Sequence, residues 1–182
     1  MAWADQALTP LGQAFQINTH GSYGQATICA GRSRTSMIPH GWVKRICRAT
    51  MALPGTGWRC AYPMSPDPSC CARLEADGQV TIANAGHLAP YLDGVETQVE
   101  NGLPLGLDPE AHYPETTLTL LPGSSLTILS DGVVEAENAQ RELFGFDRTR
   151  DISSKPAQEI ADAAKAWGQN DDITVVTVRR NA

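Results

Sequence analysis

Apolar and polar positions alternate cleanly over the later part of the chain and poorly before it. In "CARLEADGQVTIANA" (71–85), Ala72, Leu74 and Ala76 alternate with polar residues, and Val80 and Ile82 resume the pattern after Asp77-Gly78. Asp-Gly is a strong two-residue turn signal, so this stretch predicts a β-hairpin. "APYLDGVETQV" (89–99) repeats the plan around Asp93-Gly94, and "ETTLTLLPGSSLTILSDG" (115–132) predicts two more strands about Pro122-Gly123. In "KPAQEIADAAKAWG" (155–168), Ala157, Ile160, Ala161, Ala164 and Trp167 recur at helical spacing. Ser154 is placed to cap that helix, Pro156 suits its first turn and Gly168 its end. "DITVVTVRR" (172–180), rich in Val and Thr, predicts a final strand. Mostly antiparallel strands with a late helix predict an α+β sandwich.

Residues 1–70 carry only short apolar groups, such as "AFQI" (14–17) and "WVKRIC" (42–47). "GTGWRCAYPMSPDPSCC" (55–71) reads as one long loop, longer than compact domains usually contain. The organisation expected is therefore a poorly patterned segment, 1–70, followed by a well-patterned module, 71–182. The first segment is expected to pack irregularly, as degenerate sequence or the product of a shifted reading frame.

Charge sharpens this division. Residues 1–70 hold six Lys/Arg and two Asp/Glu, whereas residues 71–182 hold eight and eighteen. The net charge of −6 argues against nucleic acid or an anionic membrane as the main partner. No apolar run approaches the roughly 20 residues that span a bilayer. "MAWADQALTP" lacks the plan of a signal peptide, so a cytoplasmic location is expected. The five cysteines all lie at or before residue 71 without CxxC spacing, which disfavours both a disulfide framework and a zinc site.

Candidate chemistry lies where apolar strands end. "SLTILSDGVVEAEN" (125–138) runs a buried-looking strand into Ser130-Asp131-Gly132. Asp-Gly is ordinary turn chemistry, because Asp caps turns and Gly accepts positive φ. A strand-end Asp is equally a way to hold a metal ligand. Asp171 and Asp172 stand between the helix and the last strand, 40 residues beyond Asp131. They too read either as turn punctuation or as ligands. Carboxylates at strand ends suit hard cations such as Mg²⁺ and Mn²⁺, which prefer oxygen donors held rigidly.

Four stretches decide between these readings: "IANAGHLAPYL" (82–92), "GLPLGL" (102–107), "LPGSSLTILSDGVVEAEN" (121–138) with "FG" following, and "NDDITVVTV" (170–178). In this order they resemble the PPM-type metal-dependent protein serine/threonine phosphatases, in the bacterial branch typified by SpoIIE and RsbU. The resemblance covers residues 71–180. It implies a β-sandwich flanked by helices with a two-ion Mn²⁺ or Mg²⁺ site at one edge. Asp131 and Asp171 match metal-ligating residues, and Asp172 is implied to orient its loop by hydrogen bonding. Gly132, Asn84 and His87 are implied to lie beside the site, His87 as loop structure rather than as a catalyst. Two such ions about 4 Å apart share and acidify a water that attacks phosphorus in line. The implied substrate is phosphoserine or phosphothreonine on a STAS-type anti-sigma-factor antagonist.

One family element is not legible. An Asp-x-x-Gly motif before a helix supplies a further bridging carboxylate, whereas residues 1–70 contain only Asp5, followed by "QAL", and Asp67, followed by "PSC". The family's early central strands and buried helix are not visible either. The expectation is a phosphatase domain incomplete on its N-terminal side, with low activity. Two other readings stand beside it: a catalytically inactive remnant that serves as a binding module, and an unrelated acidic β-rich module.

Overall fold

The computed structural model describes residues 15–20, 26–30, 50–52, 58–60, 68–108 and 110–182. The "WVKRIC" group, Asp5 and Asp67 fall outside these residues. The chain divides into two compact units that interleave in sequence. The first comprises Met1–Ala26, Leu88–Gln98 and Thr119–Ala182; the second comprises Thr27–His87 and Val99–Leu118.

The first unit is built on a five-stranded sheet. Strand β1 (Phe15–His20) pairs antiparallel with the last strand, β12 (Val175–Arg180), over six residue pairs. On its other side β12 pairs antiparallel with β11 (Ser125–Leu129), which pairs with β7 (Tyr91–Leu92). The short strand β8 (Val95–Glu96) completes the order β1-β12-β11-β7-β8. The β7–β8 hairpin turns on Asp93 and Gly94, at φ 50° and 86°, as the Asp-Gly signal predicts. Asp93 also accepts the Ser125 N–H at 2.8 Å, which ties the turn to β11.

Helices α1 (Asp131–Val134), α2 (Gly145–Ile152) and α3 (Ala157–Trp167) belong to this unit. The predicted stripe of α3 is the buried one: Ala157, Ile160, Ala161 and Ala164 join Leu129, Val133, Ile173 and Val175 in one core cluster. Three of these four helical residues are alanine, so the helix backbone approaches the sheet closely. The predicted cap is not used. Pro156 occupies the N-cap position without a side-chain cap, and Ser154 lies two residues upstream. Helix α2 has no sequence signal of this kind, because its one buried residue is Thr149, whose hydroxyl donates to the Gly145 carbonyl at 2.8 Å.

The second unit contains β2 (Ala26–Ala30), β5 (Ser69–Leu74), β6 (Gln79–Ala85) and β10 (Glu115–Thr119), in the order β10-β6-β5-β2. Strand β9 (Asn101–Gly102) pairs parallel with β6, and β3 (Thr50–Ala52) pairs with β4 (Trp58–Cys60). The predicted β5–β6 hairpin forms, with Leu74 opposite Val80. Its connection is longer than a two-residue turn: Gly78 N–H closes on the Glu75 carbonyl, and Glu75 N–H on the Gln79 carbonyl, both at 2.9 Å. Ala76 is therefore in the turn rather than in the strand. The strands predicted about Pro122-Gly123 exist, but they join different sheets, β10 with β6 and β11 with β12.

The α+β class is thus observed, as sheets with few helices. The reading of residues 55–71 as one loop requires correction, while most of residues 1–67 lie outside the described residues. Strands β1 to β4 lie within residues 1–67, and β4 and the first residues of β5 interrupt the stretch read as one loop. In β1, Phe15, Ile17 and Thr19 alternate with Gln16, Asn18 and His20, a period-two pattern too short to stand out. That segment pairs with the Val-rich β12 over six positions. No helix among the described residues is long and apolar enough to cross a membrane.

Cys70, on β5, is fully buried, and burial pushes its thiol pKa up to about 12. The unfolded thiol titrates near 8.5. Between these values the native state keeps a proton that the unfolded chain releases, so this contribution to stability is complete below about pH 8.5 and declines as pH rises towards 12. Denaturant midpoints measured at pH 8 and at about pH 10 should fall more steeply in the parent chain than in Cys70→Ala. Equal slopes would show that Cys70 ionises freely in the folded protein.

Candidate metal centre

The C-terminal end of β11 and the N-terminal end of β12 lie side by side, because Leu129 pairs with Val175. Asp131 follows β11 by two positions, and Asp171 precedes β12 by four. Both side chains are exposed at that one end of the sheet. Two antiparallel neighbours therefore bring together acids 40 residues apart in sequence.

Ser130 ties these strand ends together. Its hydroxyl donates to the Asp172 carbonyl at 3.0 Å and accepts the Thr174 N–H at 2.9 Å. Its own N–H donates to the Thr174 carbonyl at 2.9 Å. Gly132 closes the arrangement from below. A Cβ on Gly132 would stand 2.5 Å from the Asp172 carbonyl oxygen, so no larger residue fits there without moving backbone. The glycine is needed for close approach and not for positive φ, since Gly132 is helical and absent from the positive-φ glycines. The turn explanation of Asp131-Gly132 is corrected accordingly: the pair begins α1.

Each candidate ligand is oriented by a neighbouring backbone amide. Asp131 Oδ1 accepts the Gly132 N–H at 3.0 Å, and Asp171 Oδ1 accepts the Asp172 N–H at 2.7 Å. Both carboxylates are exposed, each with one oxygen held by the amide of the next residue. The contact that orients the Asp172 loop uses the Asp172 main-chain carbonyl. Among the described residues, no group of three or more His, Cys, Asp or Glu comes together as a cation site. Carboxylates such as Asp131 and Asp171 are of the chemical type that Mn²⁺ and Mg²⁺ prefer.

The far end of the Asp171 loop is anchored by a segment without a legible signal. Asn138 Oδ1 accepts the N–H groups of Gln140 and Glu142 at 3.0 and 2.9 Å, folding residues 138–142 into a tight loop. Trp167 Nε1 donates to the Glu142 carbonyl at 2.8 Å, while Arg148 stacks over the indole 4.3 Å from its centroid. Gly168 lies directly against the Glu137 carbonyl. The chain thus leaves α3 along a fixed path into Asp171.

Asn84 and His87 belong to the second unit, where they close one turn. Asn84, 1% exposed, donates from Nδ2 to the His87 carbonyl at 2.9 Å and accepts the His87 N–H at 3.0 Å. Gly86 packs against Pro104, and its N–H donates to Asn101 Oδ1 at 2.8 Å. Residues 82–87 of the "IANAGHLAPYL" stretch therefore meet the "GLPLGL" stretch in this unit, while Leu88–Leu92 belong to the first unit with the Asp131 and Asp171 stretches.

A family model described as Stage II sporulation protein E (SpoIIE) matches residues 35–181. The chain belongs to the SpoIIE family, within the PPM-type, PP2C-like phosphatases. Protein IcfG of Synechocystis sp. is 28% identical over 121 residues, 58% of this chain and 19% of that protein. Among solved structures, the RsbU and RsbW domains of Rv1364c from Mycobacterium tuberculosis are similar at 25% identity and a TM-score of 0.48, over 63% of this chain and 36% of that one. The Mn-presoaked phosphatase domain of the cell fate determinant SpoIIE from Bacillus subtilis is similar at 24% identity and a TM-score of 0.47, over 64% of this chain and 57% of that one. The chain spans less than two thirds of each of these relatives.

Proposed function

We propose that this chain is the C-terminal part of a cytoplasmic phosphoprotein phosphatase domain, with residues 71–182 as its recognisable module and Asp131 and Asp171 as cation ligands. The substrate class is phosphoserine or phosphothreonine on a regulatory protein, a STAS-type anti-sigma-factor antagonist. Family membership supports the reaction type. The observation that supports the site is that Asp131 and Asp171, both exposed, flank the neighbouring ends of β11 and β12, which Ser130 ties together.

Divalent cations, when bound, supply Lewis acidity towards the phosphoryl group. The residues of this chain do the positioning. Gly132 N–H and Asp172 N–H each bond one carboxylate, and Ser130 joins the end of β11 to residues 172 and 174. Asn84 and His87 serve as loop structure. Two carboxylates hold a pair of cations less firmly than a larger donor set, so weak binding and slow turnover are expected.

Calorimetric titration of the full chain with Mn²⁺, together with assays on a phosphoserine peptide and a small aryl phosphate, tests this reading. Weak saturable binding with slow Mn²⁺-dependent hydrolysis is expected. Binding without hydrolysis would favour the inactive binding module, which the small donor set also fits. No binding at all would overturn the assignment of Asp131 and Asp171.

A further inference from the structure

We propose that the Ser130 hydroxyl is a positioning group for the cation site: it sets the spacing between the Asp131 and Asp171 carboxylates. The inference rests on those two residues being the ligands. Ser130 occupies the N-cap position of α1, where serine ordinarily bonds a helix amide with its side chain. It makes no such bond here. The N2 amide that such a cap would take, Gly132 N–H, donates to the Asp131 carboxylate instead. The hydroxyl is directed across to the other strand end, using its donor on the Asp172 carbonyl and an acceptor lone pair on Thr174 N–H.

Those two contacts hold residues 172 and 174, immediately C-terminal to Asp171. The Ser130 N–H to Thr174 carbonyl bond continues the β11–β12 ladder by one step, whereas the hydroxyl reaches beyond the ladder to residue 172. Without the hydroxyl, the Ser130 N–H to Thr174 carbonyl bond would survive, while the Asp172 carbonyl would lose its donor and the Thr174 N–H its acceptor. The Asp171 side of the site would then be held by Gln169 Nε2 on the Asp171 carbonyl, at 3.2 Å, and by the steric floor at Gly132. The carboxylates would persist while their separation became variable. Such a change lowers cation affinity in addition to the folding cost of the unpaired Thr174 N–H.

The test compares Mn²⁺ dissociation constants of the parent chain, Ser130→Ala, Ser130→Thr and Ser130→Cys, by titration well below each melting temperature. Loss of a group that supports a ligand weakens metal binding roughly 10–100-fold, and that is the expectation for Ser130→Ala. Ser130→Thr keeps the hydroxyl and should bind close to the parent value. If Ser130→Ala does not fold, Ser130→Cys replaces it, since a thiol is a weak donor and acceptor; it should bind weakly where Ser130→Thr binds well. A lowered melting temperature with unchanged Mn²⁺ affinity in the alanine or cysteine variant would overturn the inference and leave the ligands in place. Equal losses in the threonine and alanine variants would overturn it as well. A parent chain that binds no Mn²⁺ would overturn the ligand assignment and this inference with it.

Discussion

Replacing Asp131 by Asn is expected to remove nearly all Mn²⁺-dependent phosphatase activity while leaving the fold intact. The side chain is exposed, and its one internal hydrogen bond, from Gly132 N–H, can be accepted by the amide oxygen of Asn. Shape and helix start are therefore kept, and the charge that binds a hard cation is lost. The effect should exceed the roughly 10–100-fold loss seen when a group that merely supports a ligand is removed. Asp171→Asn should behave alike, because Asp171 is also exposed and bonded to one backbone amide. Turnover and thermal melting measured side by side check this. Activity that survives Asp131→Asn would mean that the hydrolysis has another source.

Gly168→Ala is expected to destabilise the first unit by about 3 kcal/mol or more, among the largest effects of any single substitution here. Gly168 adopts φ 155°, and an added Cβ would collide with the Glu137 carbonyl group. Neither partner can yield easily. Glu137 lies beside the Asn138-folded loop, and that loop is bonded to Trp167 at the end of α3. Gly123→Ala provides the control, since Gly123 has φ +87° and nothing within 4 Å of the added Cβ. Its cost should be that of a left-handed backbone alone, about 1 kcal/mol. Denaturant unfolding of both variants, followed by Trp fluorescence, separates the collision from the backbone term; similar losses would show that Glu137 moves aside.

The sheets were legible where one residue type per position did one job. β5, β6, β11, β12 and α3 follow from alternation or helical spacing, because burial on a fixed face selects apolar residues at fixed intervals. Asp131 and Asp171 were legible as acids at strand ends, and the order of four motifs identified their family. Three things were not legible. Strand β1 joins the sheet through its ladder to β12, and a ladder formed by backbone groups leaves little trace in side-chain pattern. Helix α2 buries a threonine in place of an apolar stripe. The segment 138–142 is held by an asparagine bonding its own backbone, which at sequence level is one polar residue among several.

By itself, the sequence determined the family, the α+β class, the acidic balance and the two carboxylates. Tertiary structure decided how those carboxylates are held. The adjacency of β11 and β12 places residues 131 and 171 at one sheet end, and adjacency is a property of strand order, which no local pattern encodes. It also decided the purpose of two residues that look like turn chemistry. Gly132 is glycine because the Asp172 carbonyl occupies the space of a Cβ, and Ser130 is serine because a hydroxyl both donates to residue 172 and accepts from residue 174. These reasons lie some 40 positions away along the chain, so only the folded molecule contains them.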